Sequence, residues 1–132
     1  MRLDVLTTGG TLDKVYFDAK SEYEVGDPVV GSLLEKMGVG FEYNVDQLMR
    51  VDSLDMAAEH REIIASRVCA STSDHVLITH GTDGMVKTAD CLNAVTEESI
   101  RSKTIVLTGS LQPAAFIHND AIFNIGFAVA AV

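Results

Sequence analysis

The sequence is short of the residues that make covalent or metal cross-links. Its 132 residues include two cysteines, Cys69 and Cys91, both in stretches that read as helices near apolar positions. Two such thiols support neither a disulfide framework nor a zinc knuckle, and they fit buried, reduced side chains of a cytoplasmic protein. The four histidines, His60, His75, His80 and His118, show no ligand-like spacing, so no metal site is expected. Only two prolines occur and no low-complexity tract, which leaves no linker and predicts a single domain over residues 1–132. Positive charge is scarce: ten basic against nineteen acidic side chains give a formal net charge of −9. Such a surface repels phosphate backbones and anionic lipid, so neither nucleic acid nor membrane is expected as a partner. No apolar run approaches the ~20 residues of a membrane span. Met1–Leu6 carries Arg2 and Asp4 and reads as a strand rather than a secretion signal. There is also no P-loop, no dinucleotide fingerprint and no G-x-S-x-G elbow, so no nucleotide cofactor and no α/β-hydrolase serine is expected.

What the sequence does have is a repeated pattern of apolar run, then glycine and threonine. Leu3–Leu6 leads into Thr7-Thr8-Gly9-Gly10-Thr11, where the glycines permit a tight turn and close approach of a ligand. His75–Thr79 leads into His80-Gly81-Thr82-Asp83-Gly84, and Lys103–Thr108 into Gly109-Ser110-Leu111-Gln112-Pro113. Between them lie helical spacings. Val29, Val30, Leu33, Leu34 and Met37 follow Asp27-Pro28, which reads as a cap with proline at the first helical position. Ala57–Ala70 places Ile63, Ile64 and Val68 inward, with Asp55 as its cap and Glu59, Arg61, Glu62 and Arg67 as a solvated face. Met85, Val86, Ala89, Leu92 and Val95 give a third helix, and Asp120–Val132 a fourth that is apolar on most sides. Val39–Val45 reads as a second strand, with Arg50–Asp55 a loop after it. Asp13–Gly26, with Tyr16, Phe17 and Tyr23, has no clear period and reads as a mobile lid.

Strands alternating with helices predict an α/β protein: a three-layer α/β/α sandwich with a mostly parallel sheet, Rossmann-like in layering and flavodoxin-like in strand order, 2-1-3-4. In such a sheet the strand C-termini share one edge, so the three glycine–threonine loops should converge there with the Ser53 loop beside them. The edge would hold Thr11 and Thr82 as candidate nucleophiles. Asp83 and Gly84 would open a helix whose free N–H groups favour an anion. Lys103 is the lysine nearest in sequence to these strands and reads as a candidate base, with Asp83 able to hold it. His80 reads as a hydrogen-bonded structural histidine. A small polar ligand suits this edge.

The motifs together resemble the bacterial-type L-asparaginases. Thr8-Gly9-Gly10-Thr11-Leu12 and Thr79-His80-Gly81-Thr82-Asp83-Gly84-Met85 resemble the family's two signature regions, in the family's order. Tyr23-Glu24-Val25-Gly26 resembles the lid tyrosine segment, Ser53-Leu54-Asp55-Met56 a substrate-binding loop, and Lys103-Thr104-Ile105-Val106 the strand with the catalytic lysine. The resemblance covers the family's N-terminal domain, and the C-terminal domain is expected to be absent. It implies a cofactor-free amidohydrolase acting on a small amino-acid amide such as L-asparagine. Thr11 would be the nucleophile and Tyr23 its proton partner. Thr82, Asp83 and Lys103 would form a second triad, while Ser53, Gly81, Thr82 and Asp83 would hold the substrate. Three positions depart from the family: Leu54 for glutamine, Gly84 for threonine and Gln112 for arginine. A binding module for aspartate or asparagine, or an amidase subunit needing a partner chain, is the alternative. The apolar final helix predicts a homodimer or higher homo-oligomer.

Overall fold

The computed structural model describes all 132 residues. Its frame is a four-stranded parallel sheet of β1 (Arg2–Gly9), β4 (Glu42–Val51), β5 (His75–Thr79) and β6 (Thr104–Thr108), ordered β4-β1-β5-β6. This is the expected 2-1-3-4 order. β1 is central and buried on both faces from Leu3 to Gly9, its polar Asp4, Thr7 and Thr8 included.

Successive side chains of a strand point to opposite faces, and each face has its own core. Leu3 and Val5 pack with Leu77, with Val30, Leu33 and Leu34 of α1 (Val30–Lys36), and with Ala121, Ile125 and Ala128 of α5 (Ala121–Ala131). On the other face, Leu6, Val76 and Ile78 pack with Ile64 and Val68 of α2 (Ala58–Ala70) and Leu92 of α3 (Met85–Ala94). Ile100 of α4 (Glu98–Arg101) completes that second core. Fully burying one such side chain contributes roughly 1.5–3 kcal/mol, so these two layers fix the sheet between them. Ile63 and Val86, expected inward, are half or more exposed, because the helix turn that carries them faces away from the sheet.

Several local expectations give way to tertiary contacts. The second strand is longer than Val39–Val45 and shifted, running from Glu42 to Val51 along the whole length of β1. Asp13–Gly26 is not irregular: Lys14–Phe17 (β2) and Glu22–Val25 (β3) form an antiparallel hairpin with Tyr16 opposite Tyr23. Asp27 caps no helix. Its place at the start of α1 is taken by Asp13, whose Oδ1 accepts from the Val29 N–H at 3.0 Å, while Asp27 pairs with Arg50. Asp55 does not cap α2 either: the Ala57 N–H donates to His60 Nδ1 at 2.9 Å. Cys69 and Cys91 are both free thiols.

Candidate active site

The four loops at the C-terminal edge of the sheet meet through glycine. A β-carbon on Gly10 would fall 2.6 Å from the Gly81 backbone, so the first and third loops touch main chain to main chain. A β-carbon on Gly81 would fall 2.3 Å from Ser53 Cβ, which brings in the loop after β4. A β-carbon on Gly109 would fall 2.2 Å from the His80 carbonyl oxygen, which brings in the loop after β6. Only hydrogen fits at these three junctions. Gly10 and Gly84 also hold φ of 82° and 73°, left-handed values that favour glycine.

Two further bonds lock the same edge. The Thr8 hydroxyl donates to the Thr79 carbonyl at 2.9 Å, and the Gly10 N–H to the Val51 carbonyl at 3.0 Å. Thr7 and Thr79 lie side by side in register, with buried hydroxyls that have no protein partner.

The residues after the touching glycines are Thr11 and Thr82, so both candidate nucleophiles leave from one point. Thr11 opens a short 3-10 turn and is half-buried; Thr82 and Asp83 are exposed at the entrance to α3. The N–H groups of Gly81, Thr82, Asp83 and Gly84 have no acceptor within the protein. These free donors lie in the turn just ahead of α3, whose N-terminal end itself favours negative charge. Ser53 joins this group, while Leu54 beside it is 80% exposed.

Two expected members are placed elsewhere. Lys103 lies just before β6, at the N-terminal edge of the sheet. Its Nζ donates to the carbonyls of Ser71 and Ser73 at 2.9 and 3.1 Å. At about 3.3 Å per residue, β6 separates it from the loop edge by roughly 15 Å, beyond the reach of its side chain. Lys103 therefore forms no triad with Thr82 and Asp83. Tyr23 is on the hairpin, yet it makes no hydrogen bond to Thr11. Its ring packs on Tyr16 at 5.4 Å and edge-on against Phe116 at 5.7 Å, between ring centroids.

The hairpin is tied down at its root. The Gly26 N–H donates to the Asp13 carbonyl at 2.8 Å, and Lys14 pairs with Asp52 at 2.6 Å, one residue from Ser53. Lys14 holds the Asp52 carboxyl below its ordinary range. Burial does the opposite to Asp13, which is pushed up to about 6 despite its bond from Val29.

The loop after β6 is shaped by Asp120. Its carboxylate accepts from the Leu111 and Gln112 N–H groups and from Asn124 Nδ2, and these donors keep it below the usual carboxylate range. Asn124 also donates to the Gly109 carbonyl at 2.9 Å. Asp120 and Asn124 belong to no motif of the sequence, and the one signal for them is an aspartate at the start of the helix that follows the Gly109–Pro113 loop. Beside Thr82 a mostly apolar cleft of about 370 Å³ opens between β6 and α5. No three His, Cys, Asp or Glu side chains converge in a metal-ligand arrangement.

Fold and edge together define a three-layer α/β domain that gathers threonine hydroxyls and free peptide N–H groups at one end of a parallel sheet. The profile of the N-terminal asparaginase domain matches residues 2–132, and the chain belongs to the asparaginase family. It is 31% identical over 134 residues to a probable periplasmic L-asparaginase of Haemophilus influenzae, covering 96% of this chain and 37% of that protein. The fold superposes on a probable cytoplasmic L-asparaginase from Campylobacter jejuni with a TM-score of 0.77 at 28% identity, covering 98% of this chain and 40% of that one. For L-asparaginase I from Vibrio cholerae the TM-score is 0.81 at 25% identity, with the same coverage. The chain thus spans about two fifths of the length of these relatives.

Proposed function

We propose that this chain carries an L-asparaginase-type site that hydrolyses a small amino-acid amide, with L-asparagine the first candidate, to the acid and ammonia. The observation that carries this reading is the contact of Gly10 with Gly81, which merges the Thr11 and Thr82 loops beside four free N–H groups. Thr11 Oγ attacks the amide carbon, and its proton goes to the departing nitrogen, which leaves as ammonia. Water then cleaves the resulting ester and restores the hydroxyl. Negative charge on the carbonyl oxygen meets the free N–H groups near Thr82. Ser53, Gly81 and Asp83 hold the amino and carboxylate groups of the substrate. Tyr23 reaches Thr11 only when the hairpin swings it off Phe116. The reading uses no cofactor, and the base it needs is a group other than Lys103.

The free thiols Cys69 and Cys91 suit a reducing, cytoplasmic setting. Self-assembly is part of the proposal, because α5 leaves Phe123 and Phe127 exposed. The test is ammonia release from L-asparagine and L-glutamine by wild type and Thr11→Val. Release by wild type that is lost in Thr11→Val supports the reading, and release unchanged by Thr11→Val refutes the nucleophile. A second reading, a binding module for aspartate or asparagine, is favoured by Leu54, which offers an exposed apolar side chain where the family has an amide. Calorimetric binding of aspartate without ammonia release is its signature.

A further inference from the structure

His80 is completely buried at the turn from β5 into the Thr82 loop, yet its ring hydrogen-bonds to neither candidate nucleophile. Its backbone N–H donates to the Thr108 carbonyl at 2.8 Å, which continues the β5–β6 ladder by one residue. Its ring nitrogens face one acceptor and one hydroxyl. Nδ1 lies 2.7 Å from the Gly81 carbonyl oxygen, and Nε2 lies 2.8 Å from Thr88 Oγ1.

The direction of each bond follows from chemistry. A carbonyl only accepts, so Nδ1 carries the hydrogen. Arg61 Nε points at Thr88 Oγ1 at 3.1 Å, and a guanidinium only donates. The Thr88 hydroxyl must therefore give its own hydrogen to another group. His80 Nε2 at 2.8 Å is the near acceptor; the Gly84 carbonyl is 3.5 Å away. Arg61 is held in turn by a bond from Nη1 to the Met56 carbonyl at 3.2 Å, at the foot of the Ser53 loop. Gly84 makes room for it, since a β-carbon there would stand 3.0 Å from Arg61 Nη2. The departure from threonine at position 84 and the arginine at position 61 thus fit each other.

We propose that Arg61, Thr88 and His80 form a positioning relay that fixes the Gly81–Thr82 peptide and aims the Thr82 N–H at the substrate carbonyl. In a trans peptide the N–H points opposite to the C=O. Pinning the Gly81 oxygen on the His80 ring therefore turns the Thr82 N–H away from that ring, and it has no acceptor within the protein. Burial, together with the positive charge of Arg61, holds the His80 ring below its ordinary pKa and so in the neutral form this arrangement needs. Arg61 is the charged group that bears on the ring, and no carboxylate bonds to it. The catalytic consequence rests on the amidohydrolase reading; the relay itself does not.

The test is nitrogen NMR of the uniformly nitrogen-15-labelled full chain from pH 5.5 to 8, alongside ammonia release. The relay expects a neutral His80 with hydrogen on Nδ1 across this range in wild type. Thr88→Val should shift the ring signals and broaden or split the Gly81 and Thr82 amide signals, and Thr88→Ser should restore them. In the same variant kcat should fall roughly tenfold or more with KM within about threefold, the pattern for a contact made in the transition state. A charged ring, hydrogen on Nε2, or an unmoved Thr82 amide in Thr88→Val overturns the relay. A raised KM with unchanged kcat overturns its catalytic role. If the NMR pattern holds and wild type releases no ammonia, the relay stands and the amidohydrolase reading falls.

Discussion

Gly81 Cα sits against Ser53 so closely that one added methyl group would overlap the serine side chain, at 2.3 Å from its Cβ. Gly81→Ala should therefore push the Ser53 and Thr82 loops apart. Overpacking of this kind costs about 1–3 kcal/mol, and ligand binding at this edge should fall with it. Gly126→Ala is the control: it lies in α5 with nothing within 4 Å of the added carbon. It should stabilise by roughly 0.5–1 kcal/mol, the ordinary helix gain of alanine over glycine. Urea melts of the two variants should move in opposite directions.

Lys103→Met separates structure from catalysis. The lysine bonds two carbonyls at the edge of the sheet away from the threonines. Its loss should cost about 1 kcal/mol or a little more in stability, while amide hydrolysis stays within roughly threefold, a margin below the ~10²-fold or more of general-base loss. A hundredfold fall in turnover at unchanged stability would show that Lys103 acts on the reaction after all.

Asp13 makes the lid root sensitive to pH in an unusual direction. Its carboxyl is raised from 3.8 to about 6, so the folded state holds the proton more tightly than the unfolded chain. The stability this gives is fully present below about pH 4 and is lost as pH rises through about 6, with a span of at most roughly 3 kcal/mol. Asp52 and Asp120, both lowered, contribute with the opposite sign. Asp13→Asn keeps an acceptor for the Val29 N–H and removes the charge. The stability difference between wild type and variant should grow in the variant's favour from pH 4 to 6.5 and then level off. A difference independent of pH would rule out a raised Asp13.

Self-association through α5 is the last expectation. Phe123 and Phe127 stack on each other at 6.3 Å while 75% and 71% exposed, and Ile122 beside them is 53% exposed. Light scattering should show more than one copy at micromolar concentration, and Phe123→Glu with Phe127→Glu should return a monomer. A wild-type monomer would count against assembly by this face.

The strand order and the meeting of the loops were legible because each rests on a local signal that tertiary contacts reinforce. Apolar runs ending in glycine and threonine can be read directly, and parallel connections put their ends together. The hairpin was hidden because β2 and β3 are only four residues each, too short for a period to stand out, and the turn between them has Ser21 at φ 53° instead of an Asn-Gly pair. Arg61 looked like one charge among four on a helix surface. Its partner Thr88 is 27 residues away, and no pattern in either helix announces the pair. Lys103 differs for another reason. It is close in sequence to the strand that feeds a site loop, but a residue that precedes a parallel strand must sit at the opposite end from the residue that follows it.

That opposite end has a structure of its own. Ser71 donates to Asp4 at 2.6 Å, Ser73 donates to the Arg2 carbonyl at 2.6 Å, and the Thr104 N–H donates to the Asp74 carbonyl at 2.8 Å, with Lys103 clamping the same turn. The sheet thereby keeps its rivets at one end and its tools at the other. A library that varies residues 53–56, 82–86 and 110–117 can search for new substrates without loosening those rivets. One that varies residues 71–74 and 103 can raise the melting point without blunting the tools, so the two searches can be run separately and their winners combined.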